Sequence, residues 1–233
     1  MARKRAMMTQ GEHTRLIEAI SAERFQPFLY NSGGDQERAL RLYAWDSEVA
    51  RALQSPLRDL EVALRNQVHR QLGGRYGRPD WWNERRAEPN WYGRDEIQAA
   101  EEKLARRRGT YQACDVVAQL SFGFWISLLG KGGRGGNYEM KYWNPSLRHL
   151  FREHRGGREA LHGKFDRMRT LRNRIAHQER IFQRHLDEDF RTAVALLRYL
   201  SSPMAERHDK HSQVPEVLAR KSGVLLGRDP VRL

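Results

Sequence analysis

The sequence has only one cysteine, Cys114, among its 233 residues. A lone cysteine excludes an intramolecular disulfide and a cysteine zinc cage, and it favours a reducing compartment. The chain also lacks any run of about 18 apolar residues, the length that a membrane-spanning helix needs. The first ten residues are basic, but the apolar segment of a secretory signal does not follow them. These absences predict a cytoplasmic protein with no contact to a membrane.

Acidic residues and lysine are scarce relative to arginine. The chain has 29 Asp and Glu against 42 Lys and Arg, a net charge of +13, and arginine supplies 35 of those 42 cations. Guanidinium groups bind phosphates bidentately and stack on bases. The arginine excess therefore indicates a nucleic-acid partner. The alternative is a basic surface that reflects only an arginine-rich composition.

No stretch shows the alternating pattern of a half-buried strand bounded by hairpin turns. Apolar residues instead recur at helical spacing along most of the chain, which predicts an all-α protein. We expect one helical domain over residues 12–202. The polar residues 203–233 contain two further prolines after Pro203, and we expect a tail that is partly ordered at best.

Several helix boundaries follow from local signals. Ser55-Pro56 resembles an N-cap followed by proline at the first helical position, and Gly73-Gly74 is expected to end that helix. A largely apolar helix is expected over 116–129. The pattern predicts a long helix over 158–180, and Asp187 is expected to cap another that ends near Ser202.

Two segments have a structural and a functional interpretation. Residues 130–136, GKGGRGG, lack the order of a phosphate-binding P-loop, so we interpret them as a flexible loop, with RNA contact as the alternative. Trp81, Trp82 and Trp91 lie among arginines and could stack on bases. Packing in the core is the structural alternative for these three residues.

Arg172 and His177 form the most informative pair of polar residues. The spacing alone selects nothing, because Arg180 and His185 repeat it. The context favours the first pair, since Arg172 falls at the edge of an apolar helix face and needs a carboxylate or a phosphate as partner. That face consists of Phe165, Met168, Leu171 and Ile175. His177 lies about 140° around a regular helix from Arg172, so the two would meet most simply in a two-fold dimer.

These residue types suit RNA cleavage through attack of the ribose 2′-OH on the adjacent phosphate. His177 could take or give a proton near neutral pH. Arg172 could hold the phosphate and offset its developing charge, and Asn173 could orient the phosphate or His177. Neither a metal nor a cofactor is expected. The structural alternative is an arginine in an ion pair and a solvated histidine near a helix end.

Residues 171–182, LRNRIAHQERIF, resemble the signature of Abi-like (abortive infection) proteins, in which an RN-x3-H segment contains the R-x4–6-H motif of HEPN ribonucleases. Residues 60–66 (LEVALRN) and 117–129 (VAQLSFGFWISLL) match the same family in the same order. The YAW segment at 43–45 and the WNP segment at 143–145 also match. The resemblance spans roughly residues 40–182.

The resemblance implies a HEPN-like helical bundle with additional helices, in a family that is usually dimeric. It implies metal-independent endoribonuclease activity with Arg172, Asn173 and His177 as the motif residues. A role in phage defence or in a toxin–antitoxin pair also follows, with a possible neutralising protein or RNA. Because some HEPN proteins bind RNA without cutting it, a non-catalytic RNA-binding protein of the same fold is the alternative. A purely structural helical protein is the third hypothesis.

Further arginines are candidates for RNA contacts around the motif. These candidates are Arg174, Arg65, Asn66, Arg106, Arg107 and Arg108. The last three close a charged helix, where they also favour its dipole. For Arg65 and Asn66 the alternative is an ion pair through Glu61. His69 could form a rival catalytic pair with Arg65, which we consider the weaker assignment.

Overall fold

The computed structural model describes residues 10–133 and 136–231, and all regular secondary structure in these residues is helical. The all-α prediction is therefore confirmed. Eleven α-helices follow one another in these residues. They are α1 (Gln10–Ile20), α2 (Ala22–Asn31), α3 (Gln36–Tyr76), α4 (Trp91–Arg108), α5 (Ala113–Gln119), α6 (Phe122–Ser127), α7 (Arg158–Ala176), α8 (Leu186–Leu200), α9 (Ser202–His211), α10 (Val214–Ala219) and α11 (Lys221–Leu225).

Helix α3 forms the centre of the molecule and contacts α2, α6, α7, α8, α10 and α11. Asp35 caps its first turn by accepting the N–H of Arg38 at 3.0 Å. The helix runs without a break for 41 residues through Pro56 and Gly73-Gly74. The predicted start at Ser55-Pro56 and the predicted end at Gly73 are therefore wrong.

Tertiary burial explains why α3 continues past its helix-breaking residues. Leu53, Leu57 and Leu60 lie on both sides of Pro56 and are each no more than 1 % exposed. Burial of each leucine contributes about 2 kcal/mol, and together they offset the cost of about 3 kcal/mol of an internal proline. The helix ends at Gly77, whose φ of 72° suits glycine and whose N–H bonds to the carbonyl of Gly73.

The apolar segment 116–129 forms two short helices instead of the single predicted one. The chain turns at Leu120, and the Ser121 hydroxyl then accepts the N–H of Phe124 at 3.1 Å to cap α6. Farther along, Leu147–Phe151 forms a 3₁₀ helix. A serine cap inside an apolar run was the local signal for the break.

Helix α7 ends at Ala176, four residues before its predicted end. Gln178 follows with a φ of 56°, in the left-handed region. Its N–H bonds to the carbonyl of Ile175 at 3.0 Å, and the N–H of Glu179 bonds to that of Arg174 at 2.8 Å. This pair of bonds is a Schellman termination, in which glycine usually occupies the left-handed position. A glutamine there gave no sign of the helix end.

The expectation of a partly ordered tail after residue 202 is wrong for the residues described. Helices α9, α10 and α11 follow at once, and α10 and α11 pack on α3. The Trp45 indole N–H donates to the Val217 carbonyl at 2.9 Å. The buried His208 lies 2.9 Å from the Asp59 carboxylate. The composition is polar because these short helices bury only narrow faces, which contain Ala205, Val214, Val217 and Val224.

The tryptophan segment divides between core and surface. Trp81 and Trp82 are buried and pack edge to face, so the structural interpretation holds for both. Trp91 is 62 % exposed and packs against the exposed Tyr92 at the start of α4. In the glycine-rich loop, the carbonyl of Gly132 accepts from Asn90 at 2.8 Å. Residues 134 and 135 of this loop lie outside the described residues.

Candidate RNA-binding groove and catalytic motif

A groove runs between α3 and the C-terminal half of α7 and consists of two adjoining cavities. The larger, of about 660 Å³, is bounded by α2, α3, the end of α7 and the loop after it. The smaller, of about 480 Å³, lies farther along α3. Arg51, Gln54 and Ile175 line both cavities, so the two are adjacent.

Arg172 lines the smaller cavity and pairs with Glu61 of α3. Its Nε lies 3.1 Å from Oε2 of Glu61, and its Nη2 lies 3.4 Å from Oε1. The arginine side chain remains 42 % exposed, and that of Glu61 is 20 % exposed. The partner expected for a half-buried arginine is thus a carboxylate, held by the two-pronged geometry that guanidinium also uses for phosphate.

Asn173 is positioned beside this ion pair. Its Oδ1 accepts a hydrogen bond from Nη1 of Arg172 at 3.3 Å. The amide therefore holds Nη1, the guanidinium nitrogen that does not contact Glu61. The predicted role of Asn173 was to orient the phosphate or His177. Its side chain contacts Arg172 instead, and its hydrogen bond with His177 joins main-chain atoms, with the N–H of His177 donating to the Asn173 carbonyl at 2.9 Å.

His177 is exposed and stands just beyond the end of α7. It lines neither cavity, although its neighbours do: Ala176 borders the smaller one and Gln178 the larger. Within the described part of the single chain, Arg172 and His177 share neither a hydrogen bond nor a cavity. The ion pair of Arg172 and the exposure of His177 are both features of the structural alternative. The arginine-lined groove beside them is not a feature of that alternative.

The other predicted RNA-contacting residues fall into three places. Arg174 lines the larger cavity and lies 3.8 Å from Glu179. Arg65 donates to its exposed neighbour Asn66 at 3.3 Å, and Glu61 pairs with Arg172, so the suggested ion pair of Arg65 with Glu61 is not formed.

The arginines that end α4 lie away from the groove-lining residues. Arg106 and Arg107 are exposed, and Arg106 lies 3.7 Å from Glu102. The side chain of Arg108 lies outside the described residues. Arg106 and Arg107 line no part of either cavity.

The two rival histidines have different surroundings. Nδ1 of His69 accepts the indole N–H of Trp81 at 3.3 Å, and burial lowers the pKa of His69. His69 is half-buried, and its hydrogen bond with the buried Trp81 favours a structural role. His185, at the second Arg–His spacing, is exposed at the start of α8, while its partner Arg180 lines the larger cavity.

Sequence reasoning missed Asp46, Arg24 and Arg51, which line the larger cavity. Asp46 is 7 % exposed, and its Oδ1 accepts the N–H of Ile181 at 3.1 Å. Burial raises the pKa of Asp46 to about 6, although hydrogen bonds from the N–H groups of Ile181 and Phe182 oppose the rise. The only signal in the sequence was a charged residue on the apolar face of α3.

Lys221 of α11 contacts the loop after α7, which Asp46 of α3 also contacts. Its ammonium group donates to the carbonyl of Phe182 at 3.2 Å and lies 4.6 Å from the centre of the Trp45 ring. Burial lowers the pKa of Lys221. The segment after the motif histidine is therefore fixed both by α3 and by the C-terminal helices.

Over residues 10–133 and 136–231, no helix has both the length and the apolar character needed to cross a membrane. Among the same residues, no three His, Cys, Asp or Glu side chains come together in a way that could hold a metal ion. Comparison of the chain with protein-family models, with curated proteins and with solved structures gave no match.

Proposed function

We propose that the protein is a cytoplasmic, metal-independent endoribonuclease of the HEPN type, acting in phage defence or as the toxin of a toxin–antitoxin pair. The observation that carries the proposal is the groove between α3 and α7. It contains Arg172 at one end and the arginine-rich larger cavity at the other, and His177 stands between the two residues that border these cavities. The net charge of +13 supports a polyanionic substrate.

In the proposed reaction a ribose 2′-OH attacks the adjacent phosphate, which releases the 5′-oxygen of the next nucleotide and leaves a 2′,3′-cyclic phosphate. Arg172 exchanges Glu61 for the phosphate and offsets the charge that develops on it. His177 transfers the proton to or from the reacting oxygens. Asn173 keeps the guanidinium in place through its 3.3 Å contact.

A homodimer is part of this proposal because the single chain leaves His177 exposed and outside both cavities. A two-fold axis near the end of α7 would place a second copy of the motif against the first. The composite cleft would then contain two arginines and two histidines. A neutralising protein or RNA would act by covering this cleft.

The test is an RNA-cleavage assay with purified protein in the presence of EDTA. We expect wild-type protein to cut RNA, to spare DNA and to leave 2′,3′-cyclic phosphate ends. His177→Ala should slow cleavage by about 10²- to 10⁴-fold, the usual contribution of a general acid or base. The matched control is His185→Ala, which removes an exposed histidine at the same spacing from an arginine and should cleave normally. Equal effects of the two substitutions would refute the assignment of His177.

The second candidate is a non-catalytic RNA-binding protein of the same fold, and the Arg172–Glu61 pair favours it. A free guanidinium would be ready for a phosphate, whereas this one is already neutralised. Salt-dependent RNA binding by wild-type protein without any cleavage would support this candidate. It would also predict that overproduction of the protein leaves cell growth unchanged, whereas a ribonuclease should arrest it.

A further inference from the structure

The larger cavity of the groove has its own cationic surface, separate from the Arg172 ion pair. Four arginines line it: Arg24, Arg51, Arg174 and Arg180. Only two carboxylates, Asp46 and Glu179, line it as well. A concave surface with this excess of guanidinium groups attracts phosphate.

Neither carboxylate neutralises the cavity fully. Asp46 is turned toward the loop after α7, where its Oδ1 accepts a main-chain N–H. Glu179 lies 3.8 Å from Arg174, at the limit of an ion pair, and both side chains are about half exposed. A pair this exposed contributes little to stability, so the guanidinium of Arg174 can be exchanged to a ligand at small cost.

The remaining lining suits the rest of a nucleotide. The half-buried Tyr43 provides aromatic surface above the buried Phe28 and Ile175, while Ser47 and three glutamines provide donors and acceptors. Aromatic and guanidinium surfaces stack on the bases of single strands. The volume of about 660 Å³ lies within the range of small-ligand sites and is too small to admit a double helix.

The cavity also lies on the path of a strand bound at the motif. Arg51 and Gln54 of α3 and Ile175 of α7 line it together with the smaller cavity, in which Arg172 meets Glu61. A strand whose phosphate contacts Arg172 therefore lies next to the larger cavity and needs only to follow α3 to reach it.

We infer that the larger cavity binds a nucleotide of single-stranded RNA next to the phosphate held by Arg172, with Arg174 and Arg180 contacting its phosphate. The position of this nucleotide relative to the cut phosphate rests on the function proposed above. Binding of the strand in the cavity does not, because it requires only the arginines and the apolar floor.

The test measures binding of a short, fluorescein-labelled single-stranded RNA by anisotropy over a range of salt concentrations. All proteins carry His177→Ala, so that the RNA stays intact. Arg174→Gln and Arg180→Gln should each weaken binding by about tenfold, as expected for a lost charge-assisted contact. Each should also reduce the slope of log K against log salt by about 0.7, the value for one phosphate contact on a single strand.

Arg191→Gln is the matched control, because Arg191 is an exposed arginine of α8 that pairs with Asp187 within its own helix. This control should bind RNA like its parent. Arg174 and Arg180 are exposed as well, so that their loss should not impair folding, and thermal unfolding of each variant verifies this. Wild-type affinity and slope in both cavity variants would overturn the inference.

Two further probes show whether the cavity prefers single-stranded RNA to a free nucleotide or to a duplex. We expect uridine monophosphate to compete only weakly, and we expect the same RNA in a duplex to bind with little sensitivity to the two substitutions. Binding of the mononucleotide but not of the strand, or equal losses for duplex and single strand, would refute a single-strand site.

Failure of this inference is distinct from failure of the proposed function. If the cavity variants lose RNA binding but wild-type protein cuts nothing, the RNA site stands and the ribonuclease assignment fails. If wild-type protein cuts RNA and the cavity variants bind it as tightly as their His177→Ala parent, the ribonuclease stands and the site is refuted.

Discussion

At the scale of single residues, Gln178 occupies a backbone conformation that suits another residue better. Its φ of 56° lies in the left-handed region, where a side chain with a Cβ atom costs about 1 kcal/mol relative to glycine. Its carbonyl accepts from Arg24, and its neighbour is the motif histidine. The chain thus keeps a residue of low preference at the point where α7 turns into the loop.

Gln178→Gly should raise the free energy of unfolding by about 1 kcal/mol, because glycine adopts this conformation without steric cost. Urea titration of both proteins measures the change. Gln183→Gly is the control, since Gln183 lies in the same loop and has no positive φ. The control should show no increase in the free energy of unfolding. Equal changes in the two variants would contradict strain at Gln178.

Asp46 makes the stability of the fold depend on pH. Its pKa is raised from 3.8 to about 6 in the folded protein, so the folded state holds a proton more tightly than the unfolded state does. The free energy of unfolding therefore falls as the pH rises from 3.8 to about 6. Burying the charged carboxylate lowers stability at neutral pH, and protonation removes this penalty.

Comparison of wild-type protein with Asp46→Asn isolates this contribution from that of other titrating groups. The asparagine oxygen can still accept the N–H of Ile181. On going from about pH 7 to about pH 5, wild-type protein should gain about 1 kcal/mol of unfolding free energy relative to the variant. Urea titrations at both pH values measure it. A stability difference that does not change with pH would show that Asp46 titrates normally.

At the scale of elements, the local signals predicted some boundaries and missed others. The start of α7 at Arg158 was predicted, whereas Asp187, which was expected to cap a helix, lies in the first turn of α8. The signals failed most clearly where tertiary packing decided the boundary, because Pro56 was predicted to begin a helix and lies inside one. Distant side chains decide such boundaries, and no window of local sequence contains them.

The C-terminal helices show the same limit of composition. Residues after 202 are polar on average, yet Val217 is 4 % exposed and its carbonyl accepts from the buried Trp45. Arg220 of this segment also pairs with the buried Glu48 of α3. A few apolar residues at helical spacing sufficed to fix the segment, while the average over the window hid them.

Val217→Asp should therefore destabilise the whole protein. An unpaired carboxylate at this buried position costs several kcal/mol, and a loss of about 4 kcal/mol lowers the Tm of a domain of this size by about 10 °C. Lys210→Asp adds a carboxylate at an exposed position of α9 and should change the Tm little. Scanning calorimetry compares the two variants. If the segment were dispensable, both would melt like the wild type.

At the scale of the whole molecule, the sequence predicted the all-α class of the fold, which is confirmed, while the assignment of Arg172, Asn173 and His177 as motif residues stays a prediction. The sequence did not predict the groove, because its walls come from helices far apart in the chain: Arg24 from α2, Arg51 from α3 and Arg180 from the loop after α7. Such a convergence depends on how the helices pack. The motif pair itself stays apart in the single chain, as the helical geometry of Arg172 and His177 had indicated.

The contact between Arg172 and Glu61 has a consequence for the kind of anion that the groove can select. Any anion that uses this arginine has to displace a competitor tethered in the same chain, whose effective concentration does not depend on dilution. A single small phosphate offers one contact in exchange and gains little. A strand that also contacts neighbouring arginines stays bound while that one contact is exchanged. In the function proposed above, the carboxylate thus sets a threshold that favours polyanions over small phosphates.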